Sequence, residues 1–426
     1  NLFEALRLYE LAVTVPATLK IFSARGMSRK AELYLEFQEI APETWQQDIR
    51  SLFNKAADMG DAGGFLGLAR IVLHFEDLKN AYAFASRAAE LGNPEQVEEA
   101  REILRTVCRP GTWDITCAPV PVFFVTTRKV DAANPQRFGG ADSGKRDPTY
   151  GLAFTSIPLL SKNYLDRQEL YEAAKQVVAD QFGQSGLDRL GANKELAVFT
   201  FEDGERWGEA ARTVADAAKL DDAFAFVHGY NFAFDAALRT AAETIERADF
   251  PSLPVALSWP SEGEFVAYGQ DVGRANMACT RLFEGLKQLG RQFGGERLTL
   301  MAHSMGSLVV YRMVNGCDGK EESQWSFAPV ANLIYAAPDM PRFSFEEDLD
   351  YQTREKATHT TLYVTANDAA LALSASNAVN DEIRAGQVPP QGPIVADRLM
   401  TIDATEAEGQ LIDTVATFNF NHGYVF

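Results

Sequence analysis

The segment Leu298–Val310, with the sequence LTLMAHSMGSLVV, decides how the C-terminal part of the chain folds. Its apolar start predicts a buried strand, and the apolar spacing after Gly306 predicts a helix. A strand that turns directly into a helix at a serine is the backbone context of an activated serine nucleophile. We therefore predict that Ser304 is a nucleophile on this turn; the competing interpretation is a serine that only caps a helix.

The residues two positions before and two positions after Ser304 are both small, namely Ala302 and Gly306. A turn this sharp brings these positions close to neighbouring backbone, so larger side chains would collide there. Glycine is the usual residue at the first position, and Ala302 adds only a methyl group. The small residues Ala302 and Gly306 therefore favour a strained turn in which the Ser304 hydroxyl stands above the sheet.

Short apolar runs alternate with helical patterns throughout the chain after residue 119. The runs are Val120–Thr126, Leu152–Ile157, Leu196–Phe201, Ala223–Val227, Val255–Trp259, Leu298–Ala302, Ala331–Ala336, Thr361–Thr365 and Arg398–Ile402. Strands that alternate with helices predict a mostly parallel sheet with helices on both faces. Ligands bind at the carboxyl ends of strands in such sheets, so site residues should follow directly after strands.

A serine hydroxyl needs an adjacent base, and five histidines are available in the chain. His74 falls in a helical region and is assigned to packing, whereas His303 adjoins the nucleophile and should point away from it. His359 precedes a strand, at the end opposite the expected site. His228 follows a strand, within the tetrapeptide HGYN. The catalytic histidine comes last in chain order in folds of this kind, so His422 is predicted as the base.

An acid must orient the imidazole, and two aspartates follow strands between Ser304 and His422. Asp368 comes after the next-to-last strand, which is the more usual position, and it opens a helix. Asp339 comes after the strand before that. We favour Asp368 as the triad acid, and the other aspartate should cap a helix or brace a loop.

Acyl transfer also needs two N–H donors for the developing oxyanion. The backbone N–H of Met305, directly after the nucleophile, is predicted as one donor, and that of Tyr230 as the other. Gly229 would allow close backbone approach in the loop that carries Tyr230, unless it merely turns the chain. His228 and Asn231 are expected to brace this loop.

Two further residues stand at strand ends near the expected pocket. Trp259 either lines the pocket or belongs to the core. Arg128 follows the first strand of the C-terminal part and is expected to brace a loop carboxylate rather than to meet a carboxylate of the substrate.

Together these pieces resemble an alpha/beta hydrolase, and more narrowly a bacterial family usually labelled esterase/lipase superfamily enzyme. The matching segments are Val122–Arg128, Phe226–Asn231, Leu257–Ser261, Ala302–Gly306, Ala336–Asp339 and Ala366–Leu371. The resemblance covers residues 120–426. It implies a Ser304–Asp368–His422 triad, which we expect to cleave carboxylic esters. Thioesterase, amidase or acyltransferase chemistry on the same triad is an alternative, and so is a non-catalytic scaffold that binds a partner through the helical repeats. Members of that family commonly end in His-Ser-Tyr, where this chain has Gly423 after its histidine.

Residues 1–108 have the apolar spacing of helices and contain an internal echo. The octapeptide NKAADMGD at residues 54–61 is similar to SRAAELGN at residues 86–93. Each copy ends a helix at a glycine and then supplies Asp or Asn as the next N-cap. The pattern is typical of stacked helical hairpins and resembles Sel-one-type repeats, relatives of the tetratricopeptide repeat; an ordinary alanine-rich helical cap is the alternative.

Three regions are therefore predicted: a helical-repeat module over 1–108, a linker over 109–119 and a catalytic domain over 120–426. Asn1 is not an initiator methionine, so we expect a fragment or a processed form. A targeting segment could be missing, and both cytoplasmic and periplasmic locations stay open.

The four cysteines are too few for a disulfide scaffold. Cys108 and Cys117 flank the predicted linker closely enough to pair in an oxidising compartment. Cys279 and Cys317 lie in helical patterns and are interpreted as buried small hydrophobic residues.

The chain of 426 residues carries a formal net charge of −19, most of it after residue 118. So acidic a surface repels phosphate backbones, which argues against a nucleic acid partner and favours a neutral or cationic small-molecule ester. No apolar run reaches the length of a spanning helix, so an integral membrane protein is not expected. No zinc-ligand spacing or P-loop is present, so no metal or cofactor is expected. The helical repeats are a candidate surface for a protein partner.

Overall fold

The structure, a computed structural model, divides the chain into two compact units, Asn1–Cys117 and Ala118–Phe426. It describes residues 20–36, 45–75, 77–107, 117–134, 137–158, 164–192, 196–248, 250–261, 268–317, 325–351, 355–377 and 382–405. Each unit has hydrophobic clusters of its own.

The first unit is helical over its described residues. Its helices are α1 (Lys20–Glu36), α2 (Trp45–Asp58), α3 (Ala62–His74), α4 (Leu78–Leu91) and α5 (Pro94–Val107). Each helix packs against the next, and α3 also contacts α1 and α5. Such contacts between neighbours and next neighbours are typical of stacked helical hairpins. The closer assignment to Sel-one-type repeats stays a prediction.

The echoed octapeptides lie where these helices end and approach one another. A Cβ atom added to Gly64 of α3 would lie 2.5 Å from the backbone nitrogen of Ala57 in α2, so the two backbones are nearly in contact. Asp61 accepts a hydrogen bond from the Gly64 N–H at 3.1 Å. Asn93 likewise accepts one from the Gln96 N–H at 3.0 Å. Both predicted N-caps are therefore confirmed.

The second unit is built around a nine-stranded sheet. The strands of the chain are β1 (Cys117–Thr126), β2 (Arg128–Val130), β3 (Phe138–Asp142), β4 (Thr149–Pro158), β5 (Ala197–Thr200), β6 (Asp222–Val227), β7 (Ser252–Ser258), β8 (Leu298–His303), β9 (Val330–Ala336), β10 (Ala357–Val364) and β11 (Leu399–Asp403). The sheet order is β11-β10-β9-β8-β6-β7-β1-β4-β5. All neighbours from β11 to β1 are parallel, whereas β5 pairs with β4 antiparallel at one edge.

Helices cover this sheet on both faces. They are α6 (Tyr164–Ala192), α7 (Gly204–Ala217), α8 (Phe234–Ala248), α9 (Tyr268–Phe293), α10 (Gly306–Asn315), α11 (Arg342–Tyr351) and α12 (Ala369–Asn377). Alternate residues of β1 show the two faces: Phe123 and Val125 pack in the cluster that includes α7 and α9, and Val122 and Phe124 in the cluster that includes α8. The predicted α/β fold, preceded by helices, is confirmed.

Two parts of the second unit were not predicted from the sequence. Strands β2 and β3 form a separate antiparallel hairpin directly after β1. The long α6 is interrupted at Gly183, whose φ of 62° is not helical. Among the described helices, none combines the length and the apolar character needed to cross a membrane.

Cys279 and Cys317 form a disulfide, which corrects the interpretation of both as buried small hydrophobic residues. The bond joins α9 to the chain just after α10, across a sequence separation of 38. Both cysteines are nonetheless buried, at 1% and 9% exposure, so the bond is shielded from solvent. The pairing of Cys108 with Cys117, which the sequence left open, falls partly outside the described residues.

We expect the double substitution C279A/C317A to lower the free energy of unfolding by about 3 kcal/mol, because the cross-link restricts the unfolded chain. Denaturant titration of both proteins measures the difference. Peptide mapping without reductant should recover Cys279 and Cys317 in one cross-linked pair. Quantitative alkylation of both thiols in the unfolded, unreduced protein would contradict the disulfide.

Two glycines of α9 provide a matched pair of tests for the packing of this helix on the sheet. A Cβ atom on Gly285 would lie 2.5 Å from Cγ2 of Val125 in β1, whereas Gly273 is exposed with open space around it. G285A should therefore destabilise the protein by about 1–3 kcal/mol through overpacking. G273A should stabilise it by about 0.5–1 kcal/mol, because alanine has the higher helix propensity. Thermal unfolding measures both, and equal effects would contradict this packing.

Candidate active site

Ser304 lies on the sharp turn between β8, which ends at His303, and α10, which begins at Gly306. Its φ of 51° is in the left-handed region, which residues other than glycine rarely occupy. Such a conformation costs on the order of 1–3 kcal/mol and persists only where the surrounding structure enforces it. The residue is 4% exposed, so it is almost completely buried.

Backbone hydrogen bonds from the neighbouring strand hold this turn. The Ser304 N–H donates to the carbonyl of Ala336, the last residue of β9, at 2.9 Å. The Ser304 carbonyl in turn accepts from the N–H of Asp339 at 3.1 Å and from that of Ser307 at 3.0 Å. The loop after β9 therefore fixes both sides of the nucleophile turn.

The loop after β6 packs equally closely against the turn. A Cβ atom on Gly306 would lie 2.6 Å from the Val227 carbonyl oxygen and 2.5 Å from that of His228. A Cβ atom on Gly229 would lie 2.8 Å from Cβ of Ser304. Glycine is therefore required at both positions by close approach. Ala302 is fully buried in β8, with its register partners Val227 and Tyr335 on either side.

His228 is completely buried at the start of this loop. Its ring lies between those of Trp259 and Phe232, at centroid distances of 5.1 Å and 5.5 Å. Nδ1 lies 2.8 Å from the Gly229 carbonyl oxygen, and Nε2 lies 3.1 Å from Oγ of Ser258. Burial, reinforced by a nearby arginine, holds the pKa of His228 well below its usual value. This histidine is therefore neutral and occupied with structural contacts.

Trp259 and Asn231 fasten the two ends of the loop. The Trp259 indole is fully buried and donates to the His228 carbonyl at 2.7 Å, so it braces the loop from within the core. The Asn231 N–H donates to Oγ of Ser261 at 2.9 Å. The Ser261 hydroxyl donates in turn to the buried Asp271 at 2.7 Å.

Tyr230, whose N–H is the predicted second oxyanion donor, lies between these two fastened ends. Its ring packs edge-on against that of Tyr268 at 5.5 Å. Met305, the other predicted donor, is fully buried at the N-terminus of α10. Both predicted donors are thus in segments that flank Ser304.

Asp339 is buried among three polar side chains. Its Oδ2 accepts from the Tyr268 hydroxyl at 2.8 Å, and its Oδ1 accepts from the Ser374 hydroxyl at 2.6 Å. Arg384 lies at ion-pair distance, with Nε 3.4 Å from Oδ1. Both carboxylate oxygens therefore bind residues that brace the loop after β9.

Asp368 is also buried, between β10 and α12. Its Oδ1 accepts a hydrogen bond from the Leu371 N–H at 2.9 Å, which makes it the N-cap of α12. Asp368 lies at the same edge of the sheet as Ser304, because it too follows the carboxyl end of a parallel strand.

The histidines divide clearly by position. His74 is exposed in the last turn of α3, which corrects its assignment to packing. His359 is near the amino end of β10, away from the site, as predicted. His303 lies against the loop after β6, with its ring 6.1 Å from that of Phe232. His422 lies outside the described residues.

The structure corrects the expected role of one site residue and adds three residues that the sequence analysis did not identify. Arg128 was expected to brace a carboxylate, but it binds backbone carbonyls and polar side chains. Tyr268, Ser374 and Arg384 around Asp339 belong to no motif. An isolated arginine directly after the apolar run of β1 was the only available signal among the four.

The comparisons with known proteins agree with this architecture. The family model described as "Alpha/beta hydrolase of unknown function (DUF900)" matches residues 210–424, about half of the chain. No curated protein and no solved structure matches. The matched span contains Ser304, Asp368 and the loop after β6, while the narrower esterase/lipase label stays a prediction. The chain belongs to this family of alpha/beta hydrolases of unknown function.

Proposed function

We propose that this chain is a serine hydrolase that cleaves carboxylic esters through an acyl-serine intermediate. The observation that carries the proposal is the left-handed backbone of Ser304, enforced by hydrogen bonds to the loop after β9 and by contact with the loop after β6. A structural serine has no need of such strain, whereas a nucleophile must stand clear of the sheet with oxyanion donors beside it.

The proposed reaction begins when His422 takes the proton of the Ser304 hydroxyl as Oγ forms a bond to the ester carbon. The carbonyl oxygen becomes an oxyanion, which accepts hydrogen bonds from the Met305 and Tyr230 N–H groups. The ester C–O bond then breaks, and the departing alcohol takes the proton from His422. A water molecule then attacks the acyl-serine while His422 takes one of its protons. His422 returns this proton to Oγ of Ser304 as the acyl C–O bond breaks, which releases the carboxylic acid and the free serine.

The assignment of His422 as base rests on chain order and on the positions of the other histidines. His228 is neutral and bound on both sides of its ring. His74 belongs to the first unit, and His359 is near the amino end of its strand. His303 packs against the loop after β6. These positions favour His422 as the base.

Asp368 is the proposed triad acid, and Asp339 the proposed brace. Each oxygen of Asp339 is already bound by a side chain that fastens the loop after β9, and Arg384 adds a counter-charge. Oδ1 of Asp368 accepts a hydrogen bond from the Leu371 backbone N–H at the start of α12. A carboxylate held in this way keeps a fixed orientation, which an acid that aligns an imidazole requires.

A fluorophosphonate probe tests the nucleophile. Wild-type protein should be labelled and should hydrolyse short p-nitrophenyl esters, whereas S304A should lose both activities to background. S307A is the matched control. Ser307 is fully buried in the first turn of α10, three residues after Ser304, and its substitution should leave labelling unchanged. Labelling of S304A at the wild-type rate would remove Ser304 from this role.

Substitution of each aspartate by asparagine tests the acid. D368N should lower kcat by about 10³–10⁴-fold, because the imidazole loses its orientation, and it should leave stability nearly unchanged because asparagine also caps helices. D339N should lower the free energy of unfolding by about 1–3 kcal/mol and affect kcat far less. Ester turnover and denaturant titration of both variants separate these effects. A larger loss of kcat in D339N than in D368N would exchange the two roles.

A further inference from the structure

Arg128 is the most completely enclosed cation near the site, with 1% exposure. Its guanidinium binds three separate segments of the chain. Nε donates to Oγ of Ser258 at 2.9 Å, and Nη1 donates to the Ser261 carbonyl at 2.8 Å, both after or at the end of β7. Nη2 donates to the Phe232 carbonyl at 2.6 Å and lies 3.3 Å from Nε2 of His228. A further bond to the Gly139 carbonyl, at 3.2 Å, reaches β3.

This burial is energetically costly. None of the carboxylates in the described part of the chain forms an ion pair with Arg128. Desolvation lowers the pKa of its guanidinium to about 9, partly offset by the more distant Asp271 and Asp235. The group still carries its charge at neutral pH. A buried charge whose described hydrogen-bond partners are all neutral indicates a specific task for its N–H donors.

One such task is to determine the tautomer of His228, that is, which of its two ring nitrogens carries the proton. A guanidinium can only donate, so its contact with Nε2 requires that nitrogen to accept. The Ser258 hydroxyl accepts a hydrogen bond from Nε–H of Arg128 and can donate its own O–H to Nε2 of His228. The Trp259 carbonyl, 3.1 Å from Nε2, favours the opposite tautomer. The charge-assisted donor outweighs this neutral acceptor, so the proton resides on Nδ1.

A proton on Nδ1 of His228 fixes the orientation of the peptide group between Gly229 and Tyr230 through a hydrogen bond. Nδ1–H donates to the Gly229 carbonyl at 2.8 Å. In a planar trans peptide the carbonyl and the following N–H point in opposite directions. The Gly229 carbonyl faces His228, so the N–H of Tyr230 faces away from it. Gly229 itself lies against Ser304, which puts this peptide beside the nucleophile.

We propose that Arg128 is a positioning residue for the oxyanion donor: by fixing the tautomer of His228 it holds the Gly229–Tyr230 peptide with its N–H available to the reacting carbonyl. This role rests on the proposed function, because an oxyanion forms only in acyl transfer. Arg128 acts through His228 and does not touch the substrate.

Kinetics of R128M and R128K test the proposal. Misdirection of one oxyanion donor should lower kcat by about 10²-fold in R128M while KM changes by less than about threefold. R128K should recover only part of the loss, because an ammonium group cannot reproduce the fork. The matched control is R281M, which removes a largely buried guanidinium that pairs with Asp142, and it should retain wild-type kcat.

A transition-state analogue separates positioning from general damage. The affinity for a trifluoromethyl ketone, which forms an oxyanion on Ser304, should fall in R128M in parallel with kcat/KM. The affinity for the matching unreactive alcohol should stay unchanged. S258A offers a milder test should R128M fold poorly, since it removes only the hydroxyl between Arg128 and His228. It should lower kcat by about tenfold.

Nitrogen NMR of histidine gives a readout that does not depend on activity. With 15N-labelled histidine, and His228 assigned from an H228Q variant, the wild type should show a proton on Nδ1 and an accepting Nε2. R128M should show a mixture or the opposite tautomer. An unchanged tautomer in R128M, or full kcat in an active R128M, would overturn the role of Arg128. An inactive and unlabelled wild type would instead overturn the proposed function, so the two failures are distinguishable.

Discussion

The left-handed backbone of Ser304 is the constraint around which the second unit is organised. A strand that ends in this conformation must be held from both sides, and here the neighbouring strand ends do so. The loop after β9 supplies the hydrogen bonds, and the loop after β6 supplies contacts so close that only glycine fits at positions 229 and 306. The order β9-β8-β6 in the sheet therefore brings together the two loops that stabilise the strained backbone of Ser304.

Buried polar groups near the turn connect the loops that hold it in place. Arg128 links the loops after β1, β6 and β7, while Asp339 gathers Tyr268 and Ser374 beneath the loop after β9. Networks of this kind are costly when incomplete, and they rigidify a site when nearly every member has a partner. Under the proposed function, such a site would be organised before substrate binds and would need little reorganisation during the reaction.

Much of this organisation was predictable from the sequence, because its signals are local. The nine strand runs were recognisable from apolar patterning, and the elbow from the small residues around Ser304. The partners of Asp339 were not predictable, because Tyr268, Ser374 and Arg384 come from three separate segments that meet only in the folded chain. The disulfide was missed for the same reason: its two cysteines lie in separate helical patterns that reveal no proximity. The triad itself, His422 included, stays a proposal.

The disulfide has a mechanical consequence for the nucleophile. The residues between Cys279 and Cys317 include all of β8, Ser304 and α10, so they form a covalently closed ring. When the two ends of the chain are pulled, as in translocation through a narrow pore, the disulfide bears the tension. The residues inside the ring are not stretched. The 38-residue separation removes about 130 Å of extensible contour. Ser304 would thus lie within a loop that tension along the chain does not stretch.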